Sequence, residues 1–272
     1  MLKTRILTAL ILGPAILAVL FFAPDWLFRL AAAALLLTGC WEFRRLANLG
    51  AISGALLFVL QAALIGLMHY YWGVFSQQAA VFLLGACMAW LLMYLRLYTY
   101  RDNLDTGTGY QLRGFASALV AISGCWYALS WLRDQPEGQY LILLLLFIIW
   151  AADVGAYFAG QWFGRTRLAP KISPKKTWEG VIGGILLATL ITLILSRLTP
   201  LAASPVLQLL LLTVVTVMSS IGGDLFISIH KRSVKLKDAG RIFPGHGGVL
   251  DRFDSLLPGS VFFALAVWKL SS

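Results

Sequence analysis

Charge is scarce in this chain. Of its 272 residues only 12% are charged and twelve are Asp or Glu, about half the roughly 25% charged content of an ordinary soluble domain. With 60% hydrophobic residues and a mean hydropathy of +0.81, that scarcity excludes a soluble globular enzyme. Cysteine is scarce too: Cys40, Cys87 and Cys125 each fall singly inside an apolar run. Their spacing builds neither a zinc site nor a disulfide framework, so they read as small buried residues. Neither GxxxxGK[ST] nor GxGxxG occurs, which excludes a P-loop and a Rossmann site. No internal repeat, low-complexity tract or linker divides the chain, so residues 1–272 read as a single transmembrane domain. The lack of inverted repeats or paired broken helices argues against a transporter.

Long apolar runs are abundant. They recur along the whole length, each able to cross a hydrocarbon core of about 30 Å at about 1.5 Å per residue. The expected fold is therefore an all-α, polytopic integral membrane protein of about nine transmembrane helices. The spans fall near residues 5–23, 27–46, 51–71, 77–98, 112–132, 139–160, 179–197, 205–227 and 256–270. The first is long for a signal-peptide core and lacks a small-x-small cleavage site, so it is read as a retained span. With the N-terminus cytoplasmic, the Lys and Arg residues divide 18 to 4 in favour of the cytoplasmic side, as the positive-inside rule demands. The net charge of +10 is then accounted for by topology and anionic lipid, and no nucleic acid is expected as a partner. The two most charge-rich loops, 161–178 and 228–255, fall together on the cytoplasmic side.

With so few carboxylates, their positions are informative. Asp153 and Asp224 lie within apolar sequence toward the cytoplasmic ends of their spans, where an ionisable group faces a cavity or a partner. An interhelical hydrogen bond or salt bridge would serve as well as a functional role. Gly222 and Gly223, just before Asp224, allow either a close backbone approach or a helix break. The stretch Lys237 to Ser255, KDAGRIFPGHGGVLDRFDS, interleaves Asp238, Asp251 and Asp254 with Lys237, Arg241 and Arg252 around a glycine-rich turn. Orientation alone needs the cations but not the carboxylates. Cations and backbone amides bind phosphate, and carboxylates bind Mg²⁺ that bridges phosphates, so the pattern points to a metal-nucleotide or metal-phosphate site. The other loop adds Lys171, Lys175 and Lys176 with Ser173 and Thr177 as phosphate donors. Glu179 suits either a helix cap or a functional role. His246 either touches phosphate or shapes the turn, whereas His69 and His230 look incidental.

At this point Ser228, Lys231-Arg232, Lys237-Asp238, Gly240, PGHGG from Pro244 to Gly248 and DRFD from Asp251 to Asp254 resemble the signature of the phosphatidate cytidylyltransferases. AADVGAYFAGQWFGRTRLAPKISPKKTWEG and the early GCWEFRRL are also similar to that family, so the resemblance spans most of the chain. His230 departs from it, standing where the signature has an apolar residue. The resemblance implies a multi-pass homodimer of the bacterial inner membrane, with its active site facing the cytoplasm. It would join CTP to phosphatidic acid, giving CDP-diacylglycerol and pyrophosphate. It further implies a metal pair, Mg²⁺ with a second cation, on Asp224 and Asp251. Asp238 and Asp254 would be additional or outer ligands. Ser173, Lys175, Lys176, Thr177, Lys231, Arg232, Lys237, His246, Arg252 and the Gly247 and Gly248 amides would hold the triphosphate, the lipid phosphate or both, with Glu179 beside them. Asp153 would line the cavity that admits the lipid headgroup.

Overall fold

The computed structural model describes residues 13–100, 106–203, 205–240, 242 and 247–271. His246 and Arg241 lie outside them, as do residues 5–12 of the expected first span. The described part of that span is a helix, α1 (Gly13–Phe22). Pro24 separates it from α2 (Asp25–Leu46), whose acidic first turn and Arg44-Arg45 last turn both suit the helix dipole. There follow α3 (Ala51–Tyr70), the short α4 (Trp72–Phe75), α5 (Ala79–Thr99), α6 (Thr108–Arg133) and α7 (Gly138–Phe163). Two short strands, β1 (Arg167–Ala169) and β2 (Ser173–Thr177), lead into α8 (Trp178–Leu198), α9 (Val206–Ser233), α10 (Leu250–Phe253) and α11 (Leu256–Ser271). Among the described residues eight helical stretches are long and apolar enough to cross a membrane. The all-α, polytopic expectation is met, with one small antiparallel hairpin added.

One helix, α9, runs further than its apolar sequence. α9 continues through the polar Ser228–Ser233 because His230 is buried there, with Phe43, Tyr110 and Phe226 rings around it and its Nδ1 against the Phe226 carbonyl at 3.0 Å. The imidazole thus packs as an aromatic ring in a position where the family pattern has an apolar residue. α6 is the most buried span and packs against α2, α5 and α11 with Trp126, Tyr127 and Cys125 inside. Cys40, Cys87 and Cys125 are all free and buried.

The helices alternate between two faces. One carries the hairpin and the segment before α10, and is called here the loop face. On the opposite face Arg29 pairs with Asp134 and Arg133 with Asp25, each at 2.8 Å. Arg133 also donates to the Ala23 carbonyl at 2.9 Å and to that of Leu20, tying the end of α1 to α6. Two of the four cations expected on this face are therefore paired with local carboxylates.

α7 and α8 touch along small residues. A Cβ on Gly155 would lie 2.5 Å from the Gly183 carbonyl oxygen, one on Gly184 2.8 Å from that of Ala152, and one on Gly180 2.9 Å from that of Ala156. In a bilayer, helices gain little by hiding apolar surface from each other, and close backbone approach supplies the packing instead. The consequence is positional: the α7–hairpin–α8 unit holds its polar tip rigidly over the loop-face end of α9.

Candidate active site

Four elements deliver the charged side chains to one place. Asp153 lies ten residues before the end of α7 and Asp224 nine before the end of α9, each about 14–15 Å along the helix from the loop face. Gly222 and Gly223 sit inside unbroken helix. A Cβ on Gly222 would lie 2.6 Å from the Tyr94 ring, and one on Gly223 2.5 Å from both the Asp254 carbonyl oxygen and the Pro258 ring. Of the two roles open to these glycines, close approach is the one realised. It sets Asp254, at the start of α11, against Asp224.

The hairpin brings Lys176 in from above. Its turn residue Ile172 is buried with Tyr100, Leu225 and Ile229 in a small apolar cluster on α9, and Arg232 Nε donates to the Ile172 carbonyl at 3.4 Å. Lys176 Nζ then meets Asp224 Oδ2 at 2.5 Å, while Ser228 Oγ donates to Asp224 Oδ1 at 3.2 Å. Thr177 caps α8, its Oγ1 accepting from the Gly180 N–H at 3.1 Å. Both oxygens of Glu179 accept from the Thr166 N–H, at 3.1 and 3.2 Å, which closes the base of the hairpin. Ser173 is half-buried at the start of β2, and Lys175 is exposed beside it.

Asp251 is held by the segment before it. Its Oδ2 accepts from the Ala239 N–H at 2.8 Å and the Gly248 N–H at 2.9 Å, and its Oδ1 accepts from Lys231 Nζ at 3.0 Å. Gly247 adopts φ +84°, where an L side chain is disfavoured, and a Cβ there would lie 2.8 Å from Asp251 Oδ2. Asp238 packs its Cβ toward Gly247, and Lys237 and Asp238 are exposed to the loop face. Arg232 and Arg252 are exposed as well.

These groups form one electrostatic cluster. Asp153 lies in the field of Lys176, Asp224 and Arg252. Asp254 is buried beside Asp224 and Lys231. Asp153, Asp224, Asp251 and Asp254 face Lys176, Lys231 and Arg252, so nearly every negative charge has a positive neighbour. Charges at this depth persist only when compensated in this way.

Glu42 belongs to the site although in the sequence it stands out only as part of GCWEFRRL, a stretch similar to the family. It lies in the last turns of α2, 3% exposed, and its Oε2 accepts from the Leu250 N–H at 2.9 Å, across 208 residues. A Cβ on Gly240 or Gly248 would overlap its carboxylate. Ala239, next to Gly240, and Gly248 itself are the two residues whose N–H groups hold Asp251. Glu42 thus underlies the segment that shapes the Asp251 carboxylate. One signal for it did exist: a carboxylate near a helix C-terminus opposes the helix dipole and so calls for a specific partner.

Could these residues hold a metal ion? Among the described residues no three His, Cys, Asp or Glu are grouped as a ready-made cage. Mg²⁺ needs no such cage, because it keeps several waters and is commonly held by one or two carboxylates plus substrate phosphates. Asp224 and Asp251 each already attract one cationic ammonium, so the donor chemistry fits a cation that arrives with a phosphate ligand.

A helical membrane protein with a lysine-compensated carboxylate cluster at the loop-face end of its spans is a setting for phosphate chemistry at the bilayer. Residues 3–270 match the sequence model of the Cytidylyltransferase family, and the chain belongs to that family. Among its relatives, the phosphatidate cytidylyltransferase of Pseudomonas aeruginosa is 36% identical over 268 residues, covering 98% of this chain and 97% of the relative. The phosphatidate cytidylyltransferase of Haemophilus influenzae is 34% identical over 284 residues, covering 97% and 98%. That of Rickettsia bellii is 42% identical over 166 residues, covering 59% and 70%.

Proposed function

We propose that this chain is a membrane-embedded enzyme that transfers the cytidylyl group of CTP to phosphatidic acid, giving CDP-diacylglycerol and pyrophosphate. The observation that carries the reading is the pairing of Asp224 with Lys176 and of Asp251 with Lys231 in one cluster toward the loop-face end of the helices. Carboxylates there can share a divalent cation with phosphates, and the lysines can turn to phosphate oxygens. The near full-length similarity to proteins named phosphatidate cytidylyltransferase supports the same activity.

In the reaction, a phosphate-monoester oxygen of the lipid attacks the α-phosphorus of CTP. The bond from that phosphorus to the α–β bridging oxygen breaks, and pyrophosphate leaves with the electron pair. The nucleophile is already anionic, so no protein base is required, and the protein's task is alignment and charge compensation. Lys176 and Lys231 neutralise phosphate oxygens from opposite sides, one mounted on the hairpin and one on α9. Lys237, Arg232 and Arg252, exposed around the loop face, draw the triphosphate and the lipid headgroup inward. Asp153, on the exposed side of α7, borders the path by which a headgroup leaves the bilayer. Asp224 and Asp251 would hold Mg²⁺, with Asp254 and Asp238 close by, and the ion would offset charge building on the phosphates. The Lys and Arg asymmetry supports a cytoplasmic loop face, where CTP is found, and the family resemblance supports a homodimer of the bacterial inner membrane.

The test is conversion of labelled CTP and phosphatidic acid by purified protein in detergent with Mg²⁺. Asp224→Asn and Asp251→Asn should each lower turnover about a hundredfold or more, and EDTA should abolish it until Mg²⁺ is restored. No product from the wild type, or full activity in both variants, refutes the proposal. Product from a polyprenol in place of phosphatidic acid would redirect it to another lipid.

A further inference from the structure

The stretch GCWEFRRL gives Glu42 to the active site, but Trp41 and Arg44 from the same stretch have no part there. Glu42 and Arg44 are two residues apart, about 200° around the helix. While Glu42 turns inward beneath the Asp251 segment, Arg44 turns the other way, toward α3. Its guanidinium stacks over the Trp41 ring, 4.0 Å from the centroid, and the Phe58 ring of α3 meets Trp41 edge-on at 5.8 Å.

This arginine is seated in a built position. Its stem crosses α3 at Gly54, where a Cβ would lie 3.0 Å from Arg44 Cδ and 3.3 Å from Arg44 Cβ, so any larger residue would crowd it. Its Nε is enclosed with no hydrogen-bond partner. Among the described residues Arg44 forms no ion pair, in contrast to Arg29, Arg133, Lys176 and Lys231, and the first turn of α3 carries no acidic side chain. A cation that serves orientation alone needs only its charge, and neither an aromatic seat nor a glycine opposite its stem.

A guanidinium stacked on a ring keeps its N–H edge for an acceptor, and that planar fork matches a phosphate. The surroundings are apolar and open: Trp41 is 46%, Leu56 51% and Ile52 87% exposed. Arg44 lies in the last turn of α2, at the end of a span, where Trp and Arg meet the headgroup layer. One cation at the head of an exposed apolar surface complements a molecule with an anionic head and a hydrocarbon body. A soluble phosphate would use the cation alone, and a zwitterionic lipid would bring a second cation toward it.

We propose that Trp41 and Arg44, with the first turns of α3, form a site for the phosphate of an anionic phospholipid that is bound and not converted. Such a lipid would sit in the leaflet bordering the loop face, with its phosphate across α2 from Glu42 and so away from the Asp251 segment that Glu42 supports. The inference stands apart from the proposed reaction.

The test is native mass spectrometry of the full chain in neutral detergent, titrated separately with phosphatidylglycerol and phosphatidylcholine. The wild type should retain one phosphatidylglycerol at about a tenfold lower concentration than it needs to retain phosphatidylcholine. Arg44→Gln should abolish that preference. Arg44→Lys keeps the charge without the planar fork and should lose about threefold or more of it, and Trp41→Leu, which unseats the cation, should lose a similar share. The control is Arg113→Gln, at an exposed position near the loop-face start of α6, which should keep the full preference. An equal loss in Arg113→Gln would reveal general attraction between a basic face and anionic lipid, and would overturn the site. So would the absence of any preference in the wild type, or displacement of the lipid by inorganic phosphate. Loss of a second copy of the chain from Arg44→Gln, in place of a lipid, would make this face a protomer interface and overturn the proposal as well. Should Arg44→Gln elute as aggregate in size exclusion, Arg44→Lys and Trp41→Leu carry the test. No turnover is read, so failure here leaves the proposed reaction standing, and absence of product from the wild type leaves this site standing.

Discussion

Replacing Glu42 tests whether the Asp251 carboxylate depends on a residue that touches no substrate. In Glu42→Ala the Leu250 N–H loses its 2.9 Å acceptor, and the space against Gly240 and Gly248 opens. A hydrogen bond to a charged group contributes about 1.5–3 kcal/mol. Because Ala239 and Gly248 hold Asp251 Oδ2 at 2.8 and 2.9 Å, release of their segment transmits most of that loss to the site. At about 1.4 kcal/mol per factor of ten, kcat/KM should fall roughly ten- to a hundredfold. Glu42→Gln keeps an acceptor of the same shape and should fall about three- to tenfold, since about half of the bond's strength is its charge-assisted part. The assay is CDP-diacylglycerol formation under saturating and limiting CTP, with size-exclusion elution in detergent as the check on folding. A Glu42→Ala enzyme within about twofold of wild type, or a Glu42→Gln enzyme as impaired as Glu42→Ala, would refute the argument that the residue acts as an acceptor beneath the segment.

Two more outcomes follow from packing. Gly223→Ala drives a methyl group into the Asp254 carbonyl and Pro258, both 2.5 Å from the ideal Cβ. It should cost about 1–3 kcal/mol, visible as a lower Tm in detergent, and should reduce turnover because Asp254 shifts away from Asp224. Thr177→Val removes the α8 cap and should cost about 1 kcal/mol, again as a Tm shift. Thr177→Ser keeps the hydroxyl and should stay near wild type.

The apolar runs announced the helices because nothing but a bilayer tolerates so many of them. Asp153, Asp224, Lys176 and Asp251 stood out for the converse reason, each being a charge where charge is expensive. The hairpin was hidden, since SPKKT has neither apolar alternation nor β-branched enrichment, and its place on α9 is set by Ile172 in the apolar cluster and by the Arg232 and Lys176 contacts. The roles of Gly222 and Gly223 stayed open in the sequence because the partners that decide them, Tyr94 and Pro258, come from other helices. Glu42 was obscured by its neighbours: next to Arg44 and Arg45 it resembles ordinary span-end charge, and its partner lies 208 residues away. Thr177 reads as a phosphate donor and Glu179 as a cap or a functional residue, and in the fold their side-chain oxygens accept from the Gly180 and Thr166 N–H groups.

The lysines paired with Asp224 and Asp251 have a consequence for how the site is stored between turnovers. A set of carboxylates gathered near the loop-face end of a helical bundle would repel itself and resist burial, and each ammonium acts as an internal counterion that offsets the repulsion. Under the proposed reaction a divalent cation would displace those counterions, and a triphosphate would accept them. Either ligand alone leaves charge unbalanced in a medium of low permittivity, whereas both together exchange partners with little net change. Under the proposed reaction the resting ion pairs would work as an electrical interlock, with metal and nucleotide gaining most by entering together.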